Sequence, residues 1–180
     1  MNGTIDGLRF TLADYDDPAH ARDLVGLLDG YARDPMGGGE PLPAHARERL
    51  AATLALTPNA FSILGYLADG ARRSERPVAL ANCFTSLSTF ACRPLVNVHD
   101  LAVDAAWRGR GVGRALLGAV EREARERGAC KITLEVLEGN VVARRAYERA
   151  GFVPYALDEA VGTALFLELK LGGDSASASD

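Results

Sequence analysis

What this sequence has little of narrows it first. Its 180 residues hold three cysteines, Cys83, Cys92 and Cys130, an odd number with no Cys-x-x-Cys spacing and no histidine at ligand spacing beside them. That excludes a disulfide framework and a cysteine-based zinc site, and leaves buried free thiols as the expectation. Aromatic residues are 7% of the chain, too sparse for a strand that stacks on nucleic-acid bases. Positive charge is not in excess either: the formal net charge is -4. Neither nucleic acid nor an anionic membrane is an expected partner on that balance. No run approaches the roughly 18 uninterrupted apolar residues of a membrane-spanning helix, and Met1 to Arg9 lacks the charged-then-apolar layout of a signal peptide. A cytoplasmic protein is expected.

What is present is ordinary for a globular chain. Apolar residues make up 48% and charged residues 24%, and the length suits one core better than two, since domains usually run to about 100 to 200 residues. One domain is expected over residues 8–171. Gly172 to Asp180 are polar and of low complexity, and a disordered tail is expected there.

Hydrophobic periodicity orders the rest. Leu8 to Leu12 reads as a strand. Asp17 before Pro18 is a carboxylate cap ahead of a proline at the first helical position, and Ala21, Leu24, Val25, Leu28 and Tyr31 follow at helical spacing, with an end near Gly30. Residues 35–43, rich in glycine and proline, form a loop. A helix over Ala44 to Leu56 and strands over Phe61 to Ala68, Val78 to Leu87 and Leu95 to Val103 come next. A helix over Gly111 to Gly128 leads to a strand over Lys131 to Leu137, as in a βαβ unit. Asn140 and Gly151 bracket a short helix whose apolar stripe is Val142, Ala143, Ala146, Tyr147 and Ala150. Phe152 to Tyr155 and Ala164 to Leu171 read as the last strands.

Chemistry concentrates at Arg108-Gly109-Arg110-Gly111-Val112-Gly113-Arg114, where a strand runs through glycines into a helix. Unpaired amides and the positive end of the helix dipole make such a turn a phosphate site, and the glycines let a diphosphate approach the main chain. The arginines add charge. A dinucleotide-binding fingerprint is one reading, with Glu135 as the ribose acid. Arg114 stands where its third glycine belongs, however, and the turn lies far from the N-terminus.

The other reading rests on more residues. Arg108-x-x-Gly111-x-Gly113 resembles the central motif of the GNAT N-acetyltransferases. Val98-His99-Asp100-Leu101-Ala102-Val103 is similar to that family's fourth strand, and Leu134-Glu135-Val136 with Asn140-x-x-Ala143-x-x-x-Tyr147 and Gly151-Phe152 is similar to its second motif. The resemblance implies an α/β (α+β three-layer) GNAT-type fold, a mixed central sheet of about six to seven strands flanked by about four helices. It implies transfer of an acetyl group from acetyl-CoA, bound as cosubstrate, to an amine by direct attack, with no metal. A non-catalytic acyl-CoA-sensing module is the second reading. The acceptor implied is a small-molecule amine or a peptide amine, with loop 35–43 where the family's acceptor site often forms, and a homodimer is compatible.

Site residues carry over by position. The resemblance puts the pantetheine arm on the main chain of Leu101, Ala102 and Val103 and the diphosphate on Arg108, Gly109, Arg110, Gly111, Val112, Gly113, Arg114 and Ala115. Asn140 and Ala143 fall beside the arm. Tyr147 falls near the sulfur, where a phenol suits the protonation of a departing thiolate. His99 and Asp100 are the candidate bases, with Glu135 a further one. Neighbours on a regular strand point to opposite faces, so only one of His99 and Asp100 is expected to face the acceptor unless a bulge intervenes.

Overall fold

The structure, a computed structural model, describes residues 5–69, 74–156, 162–169 and 171. Five strands lie side by side in chain order: β1 (Leu8–Leu12), β2 (Ala60–Asp69), β3 (Ser74–Ser88), β4 (Arg93–Val103) and β5 (Ile132–Leu134). The first three pairings are antiparallel and β4 with β5 is parallel. A parallel neighbour needs a crossover, and α3 (Val112–Glu126) provides it. The other helices are α1 (Pro18–Ala32), α2 (Ala44–Leu56) and α4 (Val141–Arg149). Asp17 caps α1, its carboxylate accepting from the Ala19 amide at 2.8 Å, and the helix continues past Gly30.

Strand alternation sorts side chains into two cores. Phe61, Ile63, Ala81, Cys83, Val96 and Val98 pack against Val112, Leu116, Val120 and Ala124 of α3. Leu64, Tyr66, Leu80 and Ala102 pack on the opposite face against Leu24 and Leu28 of α1 and Leu54 of α2. Fully buried leucines such as Leu24, Leu64, Leu80 and Leu116 each contribute about 1.5–3 kcal/mol of transfer free energy, so both helical layers are fixed to the sheet.

One irregularity shapes everything that follows. Asn82 stands opposite Asp100 and Cys83 opposite Val98, so His99 is an extra residue in β4. Such a bulge twists its strand and breaks the ladder. The β4–β5 pairing stops at the same place, its last partners being Val98 and Leu134. β4 continues to Val103 with β3 alone, and the strands part.

Among the described residues the sheet therefore has five strands rather than six or seven. Residues 135–137 leave the sheet where the bulge turns β4 away. Phe152 to Tyr155 and the described part of Ala164 to Leu171 form no strand, only a bridge between Ala156 and Thr163. Pro154 lacks the N–H a ladder needs, and three-residue β5 offers a short edge. Leu165, Leu167 and Leu169 consequently stay exposed. Cys83 is buried, but Cys92 is exposed and Cys130 half-buried, which corrects the expectation of three buried thiols. The expected tail, 172–180, lies outside the described residues. Among the described residues no helix is long and apolar enough to cross a membrane and no side-chain group fits a metal ion.

Candidate active site

The glycine turn joins a short 3-10 helix, Ala105–Trp107, to α3. Gly109 and Gly111 adopt φ of 73° and 88°, left-handed values that a Cβ disfavours. Gly111 caps α3 with no side chain bonded to the helix start. The amides of Val112, Gly113 and Arg114 thus have no intrahelical acceptor, whereas that of Ala115 already donates to the Gly111 carbonyl at 3.0 Å. Gly113 has ordinary φ, and a Cβ built there would meet Val103 Cγ2 at 3.6 Å, a normal contact. Nothing inside the protein demands glycine at 113, and its lack of a side chain leaves the main chain open there. An open groove of about 1070 Å³ runs from Gly111, Arg114 and Ala115 along α3 to Arg149 and Phe152.

Where β4 has left β5, its edge is open. The Asp104 amide donates to Val78 of β3 at 2.9 Å, while the Val103 carbonyl accepts from Arg108 Nε at 3.0 Å on the other side. By alternation Leu101 and Val103 turn their main-chain groups toward the gap and Ala102 turns its toward β3. Two expected cofactor residues are therefore engaged elsewhere. Ala102 offers β3 its backbone and the core its methyl, and the Arg108 guanidinium binds Asp34 at 2.5 Å as well as Val103. Arg110 lies over the Trp107 ring, 4.8 Å from its centroid.

α4 faces the gap. Asn140 Oδ1 accepts from the Ala143 amide at 3.1 Å, capping the helix, and its Nδ2 remains a donor end. Gly151, at φ 92°, closes it. Tyr147 packs edge-on against Phe152. Burial pushes its phenol up to about 12, with Tyr31 adding a smaller electrostatic push.

The bulge resolves the choice between His99 and Asp100 by placing both on the α1 face. His99 meets the Phe84 ring edge-on at 5.6 Å, and Phe84 packs on the α1–α2 core. Asp100 accepts from Asn82 Nδ2 at 2.9 Å. The bulge that was the stated exception is present: the extra residue shifts the alternation by one. Glu135 lies apart from both, exposed beyond β5, with Asn97 Nδ2 at 3.4 Å.

Tyr31, which its spacing presents as one more apolar position of α1, belongs to this site too. Burial raises its phenol, and Asp100, Asp34 and Arg108 are near enough to act on it electrostatically. Its hydroxyl donates to the Met36 carbonyl at 3.3 Å, and Asp34 accepts from the Met36 amide at 2.9 Å. Loop 35–43 is thereby tied to α1 and, through Arg108, to the cofactor turn. Ser62 and Asn82 were equally hidden, although a polar residue amid Val78-Ala79-Leu80-Ala81 and Cys83 is a readable signal.

A family model described as the acetyltransferase (GNAT) family matches residues 25–152. The chain belongs to that family. Streptothricin acetyltransferase from Streptomyces lavendulae is 40% identical over 83 residues, 45% of this chain and 44% of that one. Mycothiol acetyltransferase from Propionibacterium freudenreichii is 44% identical over 86 residues, 48% of this chain and 28% of its own. The matches thus span less than half the length of these curated relatives. Among solved structures, a probable acetyltransferase superposes with a TM-score of 0.72 at 22% identity over 92% of this chain and 99% of its own. An aminoglycoside acetyltransferase from a soil metagenome, bound to sisomicin, gives 0.70 at 17% over 93% and 98%. At that identity these two establish the GNAT fold alone.

Proposed function

We propose that this chain is an acetyl-CoA-dependent N-acetyltransferase whose acceptor is a cationic amine. The observation that carries the reading is the pairing of two features across β4. On one side stand a glycine turn that opens onto the start of α3 and a parted strand edge, and on the other stand a histidine and a carboxylate brought to one face by a bulge. The N-terminal end of α3 at Val112 and Gly113 suits a diphosphate, and Leu101 and Val103 suit the amide groups of an extended pantetheine arm. Acetyl-CoA supplies a thioester carbonyl open to attack.

The chain's own groups account for the proton steps. Asp100 draws in an ammonium, and His99 beside it accepts the proton that must leave before the nitrogen can attack. Tyr147 is still a phenol at any physiological pH. Burial pushes its pKa up to about 12, which makes it a reluctant acid. Tyr147 therefore stabilises the leaving sulfur by a hydrogen bond rather than by giving up its proton. Aminoglycosides, named in the structural neighbour's bound state, carry several amines and fit this acceptor class.

A panel of amines, aminoglycosides, amino acids and peptides with acetyl-CoA tests the reading through amine-dependent CoA release. Acetylation of at least one cationic amine is expected. Acetyl-CoA binding without release in the presence of any amine would replace the enzyme with the sensing module.

A further inference from the structure

Beneath the acceptor side of β4 runs a chain of buried polar groups. Tyr15 Oη lies 2.9 Å from Ser62 Oγ, Ser62 Oγ donates to Asn82 Oδ1 at 2.6 Å, and Asn82 Nδ2 donates to Asp100 Oδ2 at 2.9 Å. Ser62 and Asn82 are 1% and 2% exposed. The direction follows from the donors available. Ser62 has one hydroxyl proton and gives it to Asn82, so Tyr15 donates to Ser62. With its oxygen held by Ser62, the Asn82 amide can only turn its NH2 toward Asp100.

The last two links each cross one strand pairing: Ser62 stands opposite Asn82, and Asn82 opposite Asp100. Without the bulge, His99 would occupy the place opposite Asn82. The surrounding face is otherwise apolar, with Leu64, Leu80 and Ala102 as neighbours in the same core. Polar groups there bring no stability that leucine or valine would not, and half-satisfied they are costly. Their one consequence is at the end of the chain, a half-buried carboxylate held by one oxygen.

Resting on the acetyltransferase reading, we propose that Asn82, locked by Ser62 and Tyr15, is a positioning residue that fixes Asp100 by Oδ2 so that Oδ1 meets the acceptor ammonium. It acts on the acceptor and not on acetyl-CoA, and it acts only through Asp100.

The test is a double-mutant cycle on acceptor kcat/KM with Asn82→Ala, Asp100→Asn and both. Asn82→Ala lowers acceptor kcat/KM about 10- to 100-fold, the weight of a hydrogen bond to a charged group, and leaves the acetyl-CoA KM unchanged. In the Asp100→Asn background the same change costs less than about twofold. Should Asn82→Ala fail to fold, Ser62→Ala is read in the same cycle, with a smaller loss that again vanishes without Asp100. Full additivity, or a parallel rise in the acetyl-CoA KM, overturns the positioning role while leaving the enzyme intact. A wild-type protein that acetylates no amine overturns the function and this role together.

Discussion

The two sides of β4 are built on different principles. Toward α3 and β5 the candidate site is made of main chain: glycines at φ 73° and 88°, the N-terminal turn of α3 and a strand edge freed by a parted ladder. Toward α1 it is made of side chains from distant parts of the chain, Tyr31, Ser62, Asn82, His99 and Asp100, brought together by packing. Main-chain geometry suits the invariant part of a reaction, the cofactor. Side chains from separate elements can change one at a time, which suits the part that sets the acceptor.

Substitutions can break that division or sharpen it. The largest effect on the cofactor side is expected from Gly113→Val, whose Cβ makes an ordinary contact with Val103 and whose bulk fills the space a diphosphate needs; acetyl-CoA affinity falls about a hundredfold. Trp107 is the sole tryptophan and precedes the turn, so its fluorescence follows the titration. Gly111→Ala sharpens the contrast, because φ of 88° makes it cost about 1 kcal/mol of stability that Gly113→Ala does not. Thermal melting separates the two.

Tyr147→Phe comes next. It lowers kcat about tenfold by removing one hydrogen bond to the leaving sulfur, with acetyl-CoA affinity held; steady-state kinetics beside the fluorescence titration check it. The same variant has a pH signature. A phenol raised from 10.0 to about 12 on folding contributes stability that is whole below pH 10 and lost as pH climbs toward 12, up to about 2–3 kcal/mol. Cys83, pushed to about 12 by burial, adds to the same alkaline loss. Melting curves between pH 9 and 12 should fall less steeply for Tyr147→Phe than for the wild type. Smallest of all, Arg108→Ala removes a surface pair with Asp34 and leaves thermal stability nearly unchanged, while raising the acceptor KM as loop 35–43 loosens.

The geometry of the glycine turn and of the α4 start was legible in the sequence because it depends on residues close in the chain. Glycines at 109, 111 and 113 and the asparagine cap at 140 declare a turn and a helix start without tertiary information. The α2 bounds, Ala44–Leu56, were readable for the same reason. The α1 side was not, since Asn82 meets Asp100 only across a strand pairing. Tyr31 was masked by the apolar stripe it continues. The last strands failed differently: Phe152 to Tyr155 and Ala164 to Leu171 have strand composition, but a proline and a three-residue β5 deny them a ladder.

The division itself is tested most directly by Asp100→Asn, assayed for acetyl-CoA binding and for acetyl transfer on the same preparation. Binding within about twofold of wild type, with transfer at least about a hundredfold slower, is the predicted result. Equal loss of both, or transfer that is unchanged, would contradict it.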